Sequence, residues 1–229
     1  MSVERIDQPA PHHEDKLREA NHRISNHLTL IVGMVQMQSS ALAKGPATIS
    51  RDEARALLDE TAGKITTVGQ LHRWLAETPG DSDVELGNYL IKSCAALLHA
   101  LGFQSRVTLA QKITGDCRVT PEQAQQIGLI VSEIIMNSAK HAHPTGLRAQ
   151  VLIACHHDDK GRVSIEVSDD GVGLPEAFDK ENDGGVGFKL IRSLTQSLGA
   201  TLDIESDALG LCFRVTLPAR GEGLAVAAS

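Results

Sequence analysis

The chain has 229 residues, of which 41% are hydrophobic, 22% are charged and only 3% are aromatic. This composition supports a packed core and excludes collagen-like, mucin-like and wholly disordered proteins. Acidic residues outnumber basic residues by 29 to 22, giving a formal net charge of -7, so a general nucleic-acid-binding protein is not expected. No apolar run reaches the roughly 18 residues that a membrane-spanning helix needs, and no apolar signal segment opens the chain. We therefore expect a cytoplasmic protein without nucleic-acid or membrane partners.

The first predicted element is a long helix that follows a polar, flexible tail over residues 1–15. Beyond the tail, apolar residues recur at alternating spacings of four and three, as in the seam of a coiled coil. The positions of this seam are Leu17, Asn21, Ile24, Leu28, Ile31, Val35, Gln38 and Leu42. Gly45 and Pro46 end the helix, and Ser50 has the position of an N-cap for a second helix.

The second predicted helix ends before Thr78 and has its own apolar seam. The residues of that seam are Leu58, Ile65, Val68, Leu71 and Leu75. A hairpin of two such helices cannot enclose a core alone, whereas two hairpins paired in a four-helix bundle can. We therefore predict that residues 16–78 form a helical-hairpin homodimerisation domain. The alternative is that the hairpin packs onto the C-terminal domain of its own chain.

The remaining chain has the mixed pattern of a second domain over residues 84–219, after a turn-rich linker. Helices are predicted over 87–100, from a cap at Thr120 to about His141, and over 188–198. Strands are predicted over 105–109, 149–156, 162–168, 201–205 and 212–217. Runs of antiparallel strands with helices segregated from them indicate an α+β sandwich. A frayed tail is expected over 220–229.

The first candidate functional cluster lies on the first helix. Glu19 precedes His22 by one helical turn and Asn26 follows it by one turn, so the three side chains share a face. An exposed imidazole beside a carboxylate and an amide is a plausible nucleophile with its tuning groups. Taken alone, however, a solvated surface histidine is the more frequent case.

The second cluster lies on the long helix that begins near Thr120. Glu133 and Asn137 are one turn apart, and Lys140 and His141 follow on a neighbouring part of the same face. Carboxylate and amide oxygens suit Mg²⁺, which keeps waters and shares phosphate oxygens, and the two basic side chains could contact the same phosphates. The simpler interpretation is an amphipathic helix with a solvated polar face.

The third cluster combines a carboxylate at a strand end with two glycine runs. Asp169 begins the run DDGVG, which includes Gly171 and Gly173, and the later run GVG spans Gly185 and Gly187. The carboxylate can accept a hydrogen bond from a base, and the second glycine run opens a helix whose N-terminus favours phosphate. The pattern is neither a P-loop nor a dinucleotide-binding fingerprint.

The order of the three clusters resembles that of the two-component sensor histidine kinases, over about residues 17–218. The run HRISN from His22 is similar to the HRxxN phosphoacceptor box of one subfamily. Residues 133–141 are similar to the N box of the GHKL, or Bergerat-type, ATP-binding fold. Residues 169–173 resemble its G1 box and residues 185–188 its G2 box. The resemblance therefore implies a dimeric four-helix bundle followed by a GHKL-type α/β sandwich.

The resemblance also implies the cofactors ATP and Mg²⁺ and a role for each motif residue. His22 would carry the phosphoryl group, Asn137 would coordinate Mg²⁺, and Glu133 would orient a water or ligand nearby. Asp169 would bind the adenine amino group, Gly171 and Gly173 would shape the pocket, and Gly185 and Gly187 would let the chain wrap the phosphates.

The activity implied is autophosphorylation of His22 from ATP, followed by transfer to an aspartate in the receiver domain of a separate response regulator. About 16 residues precede the first helix, so the expected alternatives are input from a separate sensory protein, input from oligomerisation, or no input at all. The alternative is a histidine phosphotransfer adaptor or a response-regulator phosphatase with a regulatory or vestigial ATP-binding domain. Leu211 favours this alternative, because related kinases often have Thr or Ser there. A third hypothesis is a GHKL anti-sigma-type binder or Ser/Thr kinase.

Overall fold

The structure is a computed structural model that describes residues 11–45, 48–76, 83–157 and 161–219. For residues 11–24, 26–27 and 74–76 it describes the helical backbone alone. Within these ranges the chain forms five helices and seven strands. Their bounds are α1 (Pro11–Ala43), α2 (Arg51–Ala76), β1 (Val84–Glu85), α3 (Leu86–Ala100), β2 (Val107–Thr114), β3 (Arg118–Val119), α4 (Pro121–His141), β4 (Ala149–His157), β5 (Val163–Asp169), α5 (Val186–Ser197), β6 (Thr201–Asp207) and β7 (Gly210–Thr216). The chain divides into two compact units, one ending at Ser50 and containing α1, the other beginning at Arg51 and containing α2 through β7.

The helix of the first unit, α1, begins earlier than the sequence pattern indicated. Residues 11–15 were predicted to belong to a tail, but they are helical from Pro11 onward. Proline suits the first helical position, because its fixed φ is helical and its missing N–H would have no partner there. Residues 1–10 and the predicted C-terminal tail over 220–229 lie outside the described residues. Large apolar side chains are exposed along α1 at Leu28, Val32, Val35 and Leu42.

The second unit is built on a five-stranded sheet with the strand order β2-β4-β5-β7-β6. Strands β2 and β4 are parallel, and the other neighbouring strands are antiparallel. Burial alternates along β4, where Val151 and Ile153 are buried and Gln150 is exposed, so one face of the sheet is covered. Helices α3, α4 and α5 pack against the sheet strands. The predicted α+β class is confirmed.

Two details of the strands differ from the sequence prediction. Strand β2 extends to Thr114 instead of ending at residue 109, because its whole length pairs in parallel with β4, which supplies partners that the local sequence does not reveal. The sheet is therefore mixed and not purely antiparallel. The short strands β1 and β3 were not predicted, and they pair with each other through Val84 and Val119.

Helix α4 begins where the sequence predicted. The Thr120 hydroxyl accepts a hydrogen bond from the Gln123 N–H at 3.2 Å, and the Gln123 side chain accepts one from the Thr120 N–H at 3.1 Å. Pro121 occupies the first turn. This capping box satisfies N–H groups that a helix start otherwise leaves unpaired. The buried isoleucines of α4, among them Ile130 and Ile134, then fix which face of the helix meets the core.

Helix α2 packs against α3 and α4 within the second unit. Leu71 of α2 is fully buried, and a Cβ atom added to Gly128 of α4 would lie 3.0 Å from Leu71 Cδ2. The missing side chain at Gly128 thus lets the two helices approach closely. Leu58, nearer the start of α2, is 72% exposed. Helix α2 therefore makes the contact with the C-terminal elements that the alternative arrangement required, while pairing of α1 with α2 stays a prediction.

Candidate active site

A pocket of about 840 Å³ lies between α2, α4, the segment after β5 and the N-terminus of α5. Ligand and cofactor sites typically occupy roughly 300–1,000 Å³, so the pocket is large enough for a nucleotide. The sequence-predicted residues that line it are Glu133, Asn137, Lys140, His141, Asp169, Gly173, Gly185 and Gly187. The fold thus brings together residues that are separated along the chain and that were proposed from two different clusters.

Helix α4 presents Glu133 and Asn137 to the pocket, one turn apart. The Glu133 side chain is only 10% exposed. The Asn137 Nδ2 atom is buried and has no hydrogen-bond partner among the described residues. Leaving a buried polar group unpaired costs about 1–3 kcal/mol, so such a group in a pocket wall favours a polar ligand there.

Glu133 belongs to a cluster of ion pairs that joins α4 to α2. Lys64 Nζ lies 3.3 Å from Glu133 Oε2 and 3.1 Å from Glu60 Oε1. The other Glu60 oxygen, Oε2, lies 3.6 Å from Lys140 Nζ. We call Glu60, Lys64, Glu133 and Lys140 the ion-pair cluster.

Burial and charge act in opposite directions on the two carboxyl groups of this cluster. Burial raises the pKa of Glu133 above its ordinary value, although Lys64 counteracts this effect. Burial would also raise the pKa of Glu60, but Lys64 and Lys140 outweigh it, and that pKa lies below its ordinary value. Glu60 is therefore a carboxylate at neutral pH.

Asp169 ends β5 and is held on both of its carboxylate oxygens. Oδ2 accepts a hydrogen bond from the Ser138 hydroxyl at 2.6 Å, and Oδ1 accepts one from the Gly171 N–H at 3.0 Å. Ser138 is buried on α4, directly after Asn137. The orientation of the Asp169 carboxylate is thus set jointly by α4 and by the segment that follows β5.

The next residue, Asp170, ties that segment to the neighbouring strand. Its Oδ1 accepts hydrogen bonds from the Gln150 N–H at 2.8 Å and from His143 Nε2 at 2.9 Å. Burial would raise the pKa of Asp170, but these hydrogen bonds and the charge of His143 together outweigh it, and the pKa lies below its ordinary value.

Three of the predicted glycines, Gly171, Gly173 and Gly187, stand where another side chain would collide or strain the backbone, whereas Gly185 has open space around it. A Cβ at Gly171 would lie 2.6 Å from Ala142 Cα, and one at Gly187 would lie 2.7 Å from Glu133 Oε2. Gly173 has a φ of 70°, and its Cβ would overlap the Asp207 carbonyl oxygen. Gly171 stands beside the pocket without lining it. Close approach at Gly187 places the start of α5 directly against Glu133.

The N-terminus of α5 opens into the pocket. Gly185 is its N-cap residue, and within the described part of the chain no side chain caps the helix. The first N–H groups of an uncapped helix lack partners and form the positive end of the helix dipole, which suits phosphate oxygens.

The segment before α5 is held over the pocket by aromatic contacts and by one arginine. The rings of Phe178 and Phe188 lie 5.2 Å apart. Arg192 of α5 donates hydrogen bonds to the carbonyl oxygens of Lys180 at 3.0 Å and Asp183 at 2.8 Å. We call residues 174–184 the lid segment.

The remaining predicted site residues, Glu19, His22 and Asn26, lie on α1. Their side chains are outside the described residues, but the helical backbone over Pro11–Ala43 is described. On a helix the spacings of three and four place the three positions on one face. Their roles stay predictions.

Sequence reasoning missed several residues that the fold brings to the pocket. Nothing in the sequence marked Glu60 and Lys64 as pocket residues, because an acidic and a basic residue four apart on a helix usually form a solvated pair. Ser138 could have been noticed, because it directly follows Asn137 and is small enough to reach a neighbouring carboxylate. Phe178 could not be identified, because the sequence of the lid segment has no helical or strand periodicity.

Comparison with known families agrees with this geometry. Residues 122–221 match the family described as histidine kinase-, DNA gyrase B- and HSP90-like ATPase, and residues 19–101 match a family described as histidine kinase. The chain belongs to the histidine kinases. Its second unit thus contains the ATP-binding domain of this enzyme family, and the recognised motifs are those of a GHKL ATPase.

Individual histidine kinases are similar over most of the chain. Blue-light-activated histidine kinase 2 of Erythrobacter litoralis is 30% identical over 207 residues, which cover 89% of this chain and 57% of that protein. Sensor histidine kinase PdtaS of Mycolicibacterium smegmatis is 22% identical, over 96% of this chain and 43% of that protein. A solved histidine kinase domain of the Erythrobacter litoralis blue-light-activated histidine kinase is 26% identical, with a TM-score of 0.64, and covers 92% of this chain and 97% of that chain.

This histidine kinase chain thus spans about half the length of the curated relatives it matches. Among the described helices, none combines the length and hydropathy that a membrane crossing requires.

The residues of the pocket fit a nucleotide with Mg²⁺. Asn137 and Glu133 both line the pocket, and the amide and carboxylate oxygens that they carry are ligands that Mg²⁺ prefers. The Asn137 Nδ2 group, which has no partner among the described residues, is a hydrogen-bond donor and suits a phosphate oxygen. The uncapped start of α5 and Lys140 offer positive charge for phosphate oxygens. At the other side of the pocket Asp169 is an oriented hydrogen-bond acceptor.

Proposed function

We propose that this histidine kinase uses ATP with Mg²⁺ to phosphorylate His22 and then passes the phosphoryl group to an aspartate of a separate response regulator. We also propose that the protein is a homodimer and that it acts in the cytoplasm, where ATP is available. The observation that carries it is the convergence of Asn137, Asp169 and the uncapped start of α5 on one pocket of about 840 Å³.

Each group in the pocket has a role that follows from its chemistry. Asp169 would accept a hydrogen bond from the exocyclic amine of adenine. Asn137, with Glu133 beside it, would hold Mg²⁺, which offsets negative charge on the phosphates when it is bound. Lys140, His141 and the N–H groups at the start of α5 would contact the phosphate oxygens.

The chemical step joins this pocket to α1. An imidazole nitrogen of His22 attacks the γ-phosphorus, the bond from that phosphorus to the bridging β-phosphate oxygen breaks, and ADP leaves. Glu19 and Asn26 would orient the imidazole ring from positions one turn away on the same helix face. Most of the rate enhancement would come from positioning and from charge stabilisation.

The decisive experiment is incubation of the purified protein with γ-labelled ATP and Mg²⁺. We expect the wild type to acquire label that survives base and is lost in acid, as phosphoimidazole does, and His22→Ala to acquire none. His27→Ala is the matched control, because it removes the same side chain from the next turn of α1, and it should keep the label. Acid-stable label, or full labelling of His22→Ala, would contradict the proposal.

A second candidate is a histidine phosphotransfer adaptor or response-regulator phosphatase. Two observations favour it: Leu211, a residue without a polar group, lines the pocket, and Glu133 is already paired with Lys64. This candidate predicts no label from ATP, but loss of phosphate from a phosphorylated receiver domain when the protein is added. Labelling of His22 from ATP in the first experiment would exclude a vestigial ATP-binding domain.

A further inference from the structure

Helix α2 forms one wall of the nucleotide pocket. Its residues in that wall are Ala56, Asp59, Glu60, Gly63, Lys64 and Thr67. The wall faces α4 at Glu133 and Asn137, which is the side of the pocket assigned above to Mg²⁺ and the phosphates. A helix outside the sheet domain predicted from sequence is therefore part of the nucleotide site.

The charges that α2 brings to this wall do not favour a triphosphate. Asp59 and Glu60 contribute two carboxylates and Lys64 one ammonium group. That ammonium group is already shared between two carboxylates, because Lys64 lies within 3.3 Å of both Glu60 and Glu133. The packed position of α2 thus adds more carboxylates than ammonium groups to the phosphate side of the pocket, although Asp59 is itself paired with Arg55 at 3.7 Å. The charge of Lys64 is opposed by both neighbouring carboxylates, while its Nζ makes no aligned hydrogen bond among the described residues.

The same contacts occupy the two α4 residues that the nucleotide would need. Lys64 pairs with Glu133, which would otherwise face the metal ion. Glu60 pairs with Lys140, which would otherwise face the phosphates. Bound Mg²⁺ would repel Lys64, and bound phosphate would repel Glu60, so each contact of α2 is weakened by one part of the ligand.

The two halves of α2 are held differently. In the C-terminal half, Val68 and Leu71 are buried, and Leu71 packs beside Gly128 of α4. In the N-terminal half, Leu58 is 72% exposed and the ion pairs of Glu60 and Lys64 join the helix to α4. Apolar contact therefore holds the second half irrespective of charge, whereas the first half depends on the ion-pair cluster.

We propose that the N-terminal half of α2 competes with Mg²⁺-bound nucleotide for Glu133 and Lys140, so that Glu60 and Lys64 set the nucleotide affinity. The inference rests on the proposed function, because it takes the phosphate side of the pocket to be that of Glu133 and Lys140. The two effects are thermodynamically linked. If nucleotide binding weakens the contact between α2 and α4, then loss of that contact must make nucleotide bind more tightly. Nucleotide binding would therefore change how firmly α2 is held, and α2 is the helix that follows α1 in the chain.

The test exchanges the two charges on α2 in the variant Glu60→Lys with Lys64→Glu. This exchange leaves the net charge unchanged and keeps an oppositely charged pair four residues apart on the helix. It makes both contacts with α4 repulsive. Binding is measured by calorimetry with the nonhydrolysable analogue AMP-PNP and Mg²⁺, and the position of α2 by hydrogen exchange of residues 56–67 without nucleotide. We expect faster exchange in that segment and binding at least about fivefold tighter than wild type, within the usual range of coupling between sites.

A single substitution and a matched control separate the contact from a general charge effect. Glu60→Gln should tighten AMP-PNP binding about threefold, the size expected from losing one partly exposed ion pair. Asp52→Asn removes the same charge from the same helix at an exposed position about 12 Å away along the axis. At that distance salt screens the charge, so its effect should stay below about twofold.

The outcomes distinguish this inference from the proposed function. If the charge-exchanged variant binds AMP-PNP no more tightly than wild type, or more weakly, while wild type binds it, the competition is refuted and the nucleotide site stands. Unchanged exchange of residues 56–67 in that variant also refutes it. If neither protein binds AMP-PNP with Mg²⁺, both the inference and the proposed nucleotide site are wrong.

Discussion

The residue with the most specific geometry in the pocket is Ser138. It is buried, and its hydroxyl donates a hydrogen bond to Asp169 Oδ2 at 2.6 Å. The Ser138 Oγ atom also lies 3.1 Å from the Ile134 carbonyl oxygen. The hydroxyl thereby fixes one oxygen of the carboxylate that would recognise adenine. A short hydroxyl–carboxylate bond to a charged acceptor is stronger than a neutral one, so its loss should be measurable.

We expect Ser138→Ala to weaken AMP-PNP binding about fivefold and to reduce discrimination against a guanine nucleotide, because Asp169 loses its fixed orientation. Calorimetry with both nucleotides measures the two effects. Ser93→Ala is the control, since the Ser93 hydroxyl is also buried and bonds to a carbonyl one turn earlier, but on α3. Discrimination equal to wild type in Ser138→Ala would show that Asp169 needs no such support.

At this scale the sequence predicted the residues whose identity is dictated by a motif. Asn137, Asp169 and Gly187 each stand where one residue type meets a chemical or steric demand, and each lines the pocket. Their roles toward nucleotide stay predictions. Lys64 could not be found in this way, because its importance comes from its contact with Glu133, which lies more than 60 residues later in the chain, and neither helix has a local signal for that contact.

Among the elements, α5 and the lid segment are joined by Arg192 and by a contact between aromatic rings. Arg192 binds two carbonyl oxygens of the lid segment and lies over the Phe188 ring at 5.9 Å. Phe188 in turn contacts Phe178 and Phe213. The lid segment is therefore held partly by α5, through this arginine and the aromatic contacts. It is also held by β6, because Lys180 donates to the Ile204 carbonyl oxygen at 2.8 Å and the Leu174 N–H donates to the Ser206 hydroxyl at 2.7 Å.

We expect Arg192→Ala to release the lid segment, with faster hydrogen exchange over residues 176–184 and AMP-PNP binding weakened about fivefold, as for loss of a charged hydrogen-bonding group. Arg192→Lys keeps a cation near Phe188 but cannot bridge both carbonyls, so an intermediate effect is expected. Hydrogen exchange measured by mass spectrometry on the nucleotide-free protein reports the first effect. Wild-type exchange in Arg192→Ala would mean that the aromatic contacts and the hydrogen bonds to β6 hold the segment without this arginine.

The elements differ in how well local sequence specifies them. The start of α4 was predictable because Thr120, Pro121 and Gln123 satisfy N–H groups within one turn. The far end of β2 was not, because its residues become strand through parallel pairing with β4, whose partner positions are about 40 residues later in the chain. Local chemistry thus determines caps and turns, while the extent of a strand depends on its neighbours.

At the scale of the whole molecule, the position of α2 changes how the two predicted domains are understood. The helix was assigned to the dimerisation hairpin, and the structure places it in the compact unit that contains the nucleotide pocket. Part of the apolar seam predicted for it, at Val68 and Leu71, is already buried within one chain. Sequence periodicity shows which face of a helix is apolar, but it does not show which surface covers that face.

The apolar seam of α1 supports the last prediction, that two copies of the chain associate through this helix. Leu28, Val35 and Leu42 of this seam, together with the neighbouring Val32, are between 40% and 57% exposed in the single chain. Each fully buried aliphatic side chain contributes about 1.5–3 kcal/mol, so the free energy gained by covering these residues in two copies can exceed the cost of association.

We expect Leu28→Glu with Val35→Glu to convert a dimer into a monomer, because charged groups cannot be buried in such a seam without a partner. Thr29→Glu with Gln36→Glu adds the same charges at the adjacent exposed positions and should leave the dimer intact. Light scattering at tens of micromolar protein measures both, and a monomeric wild type would show that the α1 seam is not a self-association surface.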